Sequence, residues 1–264
     1  MKVLALNGSL RGKNGVTFKI LKSIGEGVKN AGGIWNVINL SELRIESCRG
    51  CNHCQRTKTY ECIFDGRDDA EEVFSRMVDA DVLIYATPVY LFSISSLLKR
   101  LLERIHSQAP VEEILLTKSG LFFHATDRLL SGKPFISLVV CDNVENLTVR
   151  NTKEYFRIYG RFMDAPHVAH LERRSAAACM AALEGTDKQA KENAESILDS
   201  FVYAGEELVA KGYISQGTKG KVERPFMEIP LLVRIARHIP AFRPFIGKEV
   251  RRRSQIIKAM SGVK

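Results

Sequence analysis

The strongest constraint on this chain is the regular exchange of two kinds of segment. Short runs of large apolar residues, such as Val3-Leu4-Ala5-Leu6 and Val82-Leu83-Ile84-Tyr85, alternate with longer stretches whose apolar residues recur every three or four positions. The first kind suits a buried strand and the second an amphipathic helix. Strands are expected over residues 2–6, 34–40, 81–86, 134–141 and 167–171, and helices over 16–30, 68–79, 93–106, 149–163 and 186–211. Strands that alternate with helices pair in parallel, because a parallel neighbour needs a crossover and the helix supplies it. Right-handed crossovers then cover both faces. The expected fold is α/β, a doubly wound five-stranded parallel sheet. Ligands of such sheets bind beyond the carboxyl ends of the strands, so the loops after residues 6, 86 and 141 should share one rim. Residues 107–131 exceed what one crossover needs and leave room for an extra element or a lid. Residues 215–226, with Gly217, Gly220 and Pro225, read as a linker. The chain therefore divides into a body over 1–214 and an extension over 215–264.

Hydrophobic residues make up 45% of the 264, enough for a core, which excludes a disordered chain. No apolar run reaches the ~18 residues of a membrane-spanning helix. The opening MKVLALNGSL meets glycine too early for a secretory signal, so a cytoplasmic protein is expected. The net charge is +9, but residues 217–264 hold 12 Lys/Arg against 3 Asp/Glu. The preceding body, with 27 of each, is neutral. The basic extension could meet an acidic partner, an anionic membrane surface or nucleic acid. Nucleic acid is the weakest of these, since no recognition motif accompanies the charge.

After the first strand comes Gly8-Ser9-Leu10-Arg11-Gly12-Lys13-Asn14-Gly15-Val16-Thr17, and then a helix. Glycines let backbone N–H groups turn inward, the hydroxyls of Ser9 and Thr17 can donate, and the helix N-terminus adds its dipole. Neither a Walker loop nor G-x-G-x-x-G is present, so a single terminal phosphate fits better than a dinucleotide. The bland alternative is a glycine-rich turn without a ligand. After the third strand comes Thr87-Pro88-Val89-Tyr90-Leu91-Phe92-Ser93. Pro88 and Tyr90 could lay an apolar wall against a flat aromatic ligand; alternatively Tyr90 is merely packed.

These two motifs, in this order and at these positions, resemble the flavodoxin-like NADPH-dependent FMN reductase family over roughly residues 1–170. The resemblance implies a 2-1-3-4-5 sheet order. It assigns the FMN phosphate to Ser9, Arg11, Asn14, Gly15, Val16 and Thr17, and the isoalloxazine ring to Pro88, Val89, Tyr90, Leu91 and Phe92. The flavin would carry the chemistry, so no side-chain nucleophile or acid–base pair is required. The electron source would be NAD(P)H or a small redox partner. Homo-oligomers, dimers or tetramers, are implied as well. One loop departs from the family: the third rim loop, usually rich in glycine, is Cys141-Asp142-Asn143-Val144 here.

Four of the six cysteines fall within fifteen residues, at Cys48, Cys51, Cys54 and Cys62. In a cytosolic chain such a cluster indicates metal or redox chemistry rather than a disulfide framework. Cysteines at i, i+3 and i+6 can wrap one cubane, with a fourth supplied nearby, whereas zinc sites usually pair two distant Cys-x-x-Cys halves. Unliganded redox thiols stay open, because Cys48-Arg49-Gly50-Cys51 with Asp68-Asp69 also fits a wider pattern among flavin reductases. The compact spacing resembles the iron–sulfur flavoproteins of the same group, which implies a [4Fe-4S] cluster passing electrons to FMN. Cys141 and Cys179 read as buried small side chains, His53 as a solvated loop histidine, and His167 and His170 as core or edge residues.

In the extension, residues 226–246 alternate large apolar residues with arginines and are broken by Pro230, Pro240 and Pro244. This arm could pack across a second subunit or lie in a membrane interface. Three functions follow from the sequence. The leading one is an FMN-dependent oxidoreductase, with or without a cluster. The others are a redox-responsive binding protein acting through its tail and a zinc protein without flavin.

Overall fold

The computed structural model describes residues 1–57, 61–108, 113–124 and 130–261, with side chains through residue 252. The strands are β1 (Lys2–Asn7), β2 (Ile34–Asn39), β3 (Val82–Pro88), β4 (Ile114–Leu116), β5 (Phe122–His124), β6 (Phe135–Val140) and β7 (His167–Arg173). The helices are α1 (Val16–Asn30), α2 (His53–Arg56), α3 (Ala70–Asp79), α4 (Ser96–Arg104), α5 (Leu147–Phe162), α6 (Ala176–Glu184), α7 (Lys188–Lys211), α8 (Gln216–Glu223), α9 (Leu231–Ala236) and α10 (Arg243–Ser261). Five strands form one parallel sheet in the order β2-β1-β3-β6-β7. Counting only these five, the order is the expected 2-1-3-4-5. Strands β4 and β5 pair with each other as an antiparallel hairpin inside the long segment before β6. Residues 109–112 and 125–129 of that segment lie outside the described residues.

Each central strand splits its side chains between two cores, because successive residues of a strand point to opposite faces. Leu4, Leu6, Leu83 and Tyr85 pack with Phe74 and Met77 of α3, Leu98 and Leu101 of α4 and Phe156 of α5. Val3, Ala5, Ile84 and Leu138 pack with Ile20 and Ile24 of α1 and Phe201 and Leu208 of α7. On that second face α1 and α7 approach to backbone contact. A Cβ on Gly27 would lie 1.8 Å from the Val202 carbonyl oxygen, and one on Gly205 would lie 2.2 Å from that of Ile24. Only glycine permits this crossing.

Residues 216–223 are not the linker that their Gly and Lys content suggested. They form α8, with Val222 fully buried. Ser215 caps the helix by accepting from Thr218 N, and the buried Arg173 guanidinium donates to the carbonyls of Val222 (3.0 Å) and Arg224 (2.8 Å) at its far end. Cationic donors at a helix C-terminus satisfy carbonyls that have no partner within the helix. No helix among the described residues is long and apolar enough to cross a membrane.

Candidate functional site

β1 ends at Asn7, a fully buried amide that organises the loop beyond it. Its Oδ1 accepts from Ser9 N (3.1 Å), and its Nδ2 donates to Asn39 Oδ1 (2.9 Å) and Gly12 O (3.3 Å). The chain then folds back in a short 3-10 turn, Gly12–Asn14, with Gly12 at a left-handed φ of +51°. Ser9 Oγ accepts from Arg11 N and points at Gly15, where a Cβ would come within 2.5 Å of it. Gly15 precedes α1 without a side-chain cap, so the first N–H groups of the helix lack the partner a capping residue would give. Ser9 and Thr17 are buried beside this helix start, whereas Arg11, Lys13 and Asn14 are exposed. Lys13 is paired to Glu42 at 3.3 Å. Six residues expected at the phosphate, Ser9, Arg11, Asn14, Gly15, Val16 and Thr17, thus lie in the loop after β1, its 3-10 turn and the first turn of α1.

The second loop lies against the first. Gly8 N donates to Ala86 O (2.8 Å), and a Cβ on Gly8 would meet Ser95 Oγ at 2.6 Å. Ser95 is held by Thr87 Oγ1, which accepts from Ser95 N (2.8 Å), and it caps α4 by accepting from Leu98 N. Val89 N donates to Val140 O (2.8 Å), joining this loop to the end of β6. Tyr90 and Ser93 exchange two backbone hydrogen bonds around Leu91 and Phe92, whose φ values are +45° and +65°. Large side chains rarely adopt such angles. Nevertheless Leu91 is 90% and Phe92 is 55% exposed. Both bulky residues are thus held left-handed at the rim and facing water, outside the core.

The third loop closes without glycine by using side-chain anchors. Asp142 Oδ1 accepts from Ala177 N (2.7 Å), Asn143 Oδ1 accepts from Glu145 N (2.9 Å), and Arg174 Nη1 donates to Val144 O (2.7 Å). Glu145 is ion-paired with Arg237, just beyond α9, so the extension touches the rim. Cys141 is buried here, and burial pushes its thiol up to about 11. Cys179 is buried as well.

The cysteine segment leaves the same rim after β2 and runs down to the far end of α4. Cys48, Cys51, Cys54 and Cys62 line one small cleft together with Phe64, Arg104 and His106. Cys54 is buried, Cys62 half-buried, and Cys48 and Cys51 are exposed. His53 is exposed, as expected, and opens the short helix α2. Burial is the main cause that raises the Cys54 thiol, and the other three thiols each add to it. Mutual repulsion of that kind is what a bound cation would relieve. Among the described residues no His, Cys, Asp and Glu group is drawn together as a formed metal site. In kind and number the four thiols match the donor set of an iron–sulfur cluster. The four cysteines line one cleft, where the Arg49 and Arg104 guanidinium groups both sit over the Phe64 ring, Arg104 being paired with Asp68 and Asp65.

The sequence alone did not single out Asn7, Ser95, Arg104 and Arg174 as site-shaping residues. Arg104 carried a signal: it falls three residues after Leu101, on the inward face of α4, where a cation needs a buried partner.

The profile of the family described as NADPH-dependent FMN reductase matches residues 1–169. An iron-sulfur flavoprotein of Archaeoglobus fulgidus is 33% identical over 104 residues, covering 39% of this chain and 48% of that protein. One from Methanosarcina thermophila is 32% identical over 105 residues, covering 39% and 52% respectively. The chain thus spans about half the length of these relatives. Two solved structures share the fold. An FMN-dependent NADH-azoreductase from Bacillus anthracis, solved in complex with FMN, gives a TM-score of 0.55 at 15% identity, over 79% of this chain and 100% of that one. An NAD(P)H:quinone oxidoreductase from Methanothermobacter marburgensis gives 0.55 at 17% identity, over 79% and 98%. With both rim motifs inside a match that spans more than half of its length, the chain belongs to the NADPH-dependent FMN reductase family.

Proposed function

We propose that this protein is an FMN-dependent oxidoreductase that takes electrons from NAD(P)H or a small redox partner. The observation that carries this reading is the uncapped start of α1, where Gly15 leaves room beside Ser9 Oγ. Ser9, Thr17 and the N–H groups of Val16 and Thr17 would hold the FMN phosphate, Gly15, whose own N–H donates to Gly12 O (3.1 Å), would let it approach, and Arg11 and Asn14 would close over it. Pro88, Val89 and Tyr90 would line the ring, with Leu91 and Phe92 excluding water from its exposed side. Bound FMN would supply hydride acceptance and its onward transfer. The protein's part is to bind, orient and shield, and no proton-transfer residue is needed for that.

Cys48, Cys51, Cys54 and Cys62 would hold a [4Fe-4S] cluster, which supplies single-electron transfer. The names of the archaeal relatives and the common cleft support this. A homo-oligomer fits the reading, since α4 spans nine residues, roughly 13 Å along its axis, between the flavin rim and the cysteine cleft. A second subunit could shorten that path.

The test is an absorption spectrum of anaerobically purified protein, with released flavin, iron and sulfide quantified. FMN with about four irons per chain is the expected result. FMN without iron would keep the oxidoreductase and remove the cluster. Absence of flavin after reconstitution would remove the central reading.

A further inference from the structure

We propose that residues 231–252 dock this protein on an anionic lipid bilayer. Helix α9, the short 3-10 turn Pro240–Phe242 and the start of α10 contribute no buried residue to either core. Instead they expose Leu231, Leu232, Ile235, Phe242 and Phe245, with Leu232 at 79% and Phe245 at 74%. Leu231, Leu232 and Ile235 follow the i, i+1, i+4 spacing that shares one helix face. Exposed cations are interleaved with them at Arg234, Arg243, Lys248, Arg251 and Arg252.

Apolar side chains and cations on the same short elements are the two attractions an interfacial segment combines. Either alone is weak; together they select a surface that offers hydrocarbon and negative charge at once. A second copy of this chain offers the wrong charge. Two extensions packed on each other would oppose +9 with +9, and the body over residues 1–216 carries no net charge to attract them. The bilayer interface is therefore the occupant with matching chemistry.

The contact between the extension and the rim fixes which side faces the lipid. Arg237 is ion-paired with Glu145 in the loop after β6. The first two rim loops expose Leu10 and Leu91, and the start of α5, just after the third, exposes Leu147. Docking would turn that rim toward the bilayer. A flavin held there would meet acceptors dissolved in lipid, a consequence that rests on the function proposed above, whereas the docking itself does not.

The experiment is co-sedimentation of the full chain with vesicles of phosphatidylcholine mixed with phosphatidylglycerol, and with vesicles of phosphatidylcholine alone. Binding to the mixed vesicles, at least about tenfold weaker on the neutral ones and falling as salt rises, is expected. Arg234→Gln and Arg243→Gln should each weaken binding about fivefold, and Leu232→Ser with Ile235→Ser should abolish it. All four positions are exposed, so these variants keep the fold, checked by their far-ultraviolet circular dichroism. Equal binding to both vesicle types, or to neither, overturns the proposal. So does an oligomer that falls apart in the Leu232→Ser, Ile235→Ser variant while vesicle binding is absent, which assigns the face to a subunit contact. Protein prepared without flavin must bind equally well, so failure of the flavin reading leaves this result interpretable.

Discussion

Arg104 and Asp68 form an ion pair in which both side chains are buried, at 1% and 0% exposure. The pair joins α4, which begins at the second rim loop, to the end of the cysteine segment. Arg104 also donates to Glu46 O (3.3 Å) and reaches Asp65 at 3.4 Å, and Asp65 in turn accepts from Cys62 N (2.6 Å). Removing Arg104 leaves the buried Asp68 carboxylate with only the backbone N–H groups of Glu46 and Ala70 as donors. Arg104→Met should therefore cost about 3–5 kcal/mol. The double variant Arg104→Met, Asp68→Leu should cost clearly less than the sum of its parts. Urea unfolding of the set measures this, and additive effects would mean that the pair is not coupled. The four thiols should also react faster with a thiol reagent in Arg104→Met, because the anchor of their loop is gone.

Gly27 and Gly220 give a paired test of the helix packing. Both lie in helices, where alanine is intrinsically better by ~1 kcal/mol. At Gly27 the new Cβ would meet a backbone oxygen at 1.8 Å, whereas at Gly220 nothing lies within 4 Å. Gly27→Ala should destabilise by roughly 3 kcal/mol or more, since backbone cannot move aside as a side chain does. Gly220→Ala should stabilise by about 0.5–1 kcal/mol. Thermal melting of both variants checks the opposite signs.

The sheet was legible because every central strand is buried on both faces and so reads as a continuous apolar run, as in Phe135–Val140. The rim loops were legible because glycines and hydroxyls cluster where the chain leaves β1. The hairpin β4–β5 was not, since its exposed Ile114, Leu116 and Phe122 carry no alternation between a core and a wet face. Helix α8 was missed for a different reason. Its local composition favours a loop, and tertiary contacts override it: a buried Val222, and an Arg173 whose role depends on carbonyls 49 and 51 residues away. The cysteine site was legible as a spacing, but its support was not. Arg104 and Asp68 are 36 residues apart, and only folding brings them together.

If Ser9 and the head of α1 hold a phosphate, Ser9→Ala should weaken FMN by about 1.5–3 kcal/mol, the worth of a hydrogen bond to a charged group. It should leave riboflavin binding unchanged, because riboflavin has no phosphate. Fluorescence titrations of both flavins against the variant and the parent give the comparison. An equal loss for both flavins would move the effect from the phosphate to general loop damage. Gly15→Ala should act in the same direction, since its Cβ would displace Ser9 Oγ.

Leu91 and Phe92 should show stability and binding moving apart. A left-handed backbone costs a bulky residue roughly 1–2 kcal/mol, and glycine escapes that cost while giving back part of the gain as unfolded-chain entropy. Leu91→Gly should therefore keep or raise the melting temperature. It should also raise the rate at which oxygen or bulk solvent reaches a bound flavin, because the exposed apolar cover is gone. A fall in melting temperature would mean that the side chain packs in the fold after all.

His167 predicts how stability depends on pH. Its ring stacks on Phe135 at 4.5 Å, and its Nε2 is 2.9 Å from Ser137 Oγ, which also meets His170 Nδ1 at 2.8 Å. Burial, followed by the positive charges of His170, Lys219 and Lys153, lowers its pKa from 6.5 to about 4. The unfolded chain therefore takes up the proton first. This contribution is fully present above about pH 6.5, falls away as the pH drops toward 4, and changes no further below that. The full shift, discounted because the ring is partly exposed, amounts to ~1–2 kcal/mol. Chemical denaturation at pH 7 and pH 4.5 should show His167→Gln losing less stability than the parent by about that amount. Equal losses would place the acid sensitivity elsewhere in the fold.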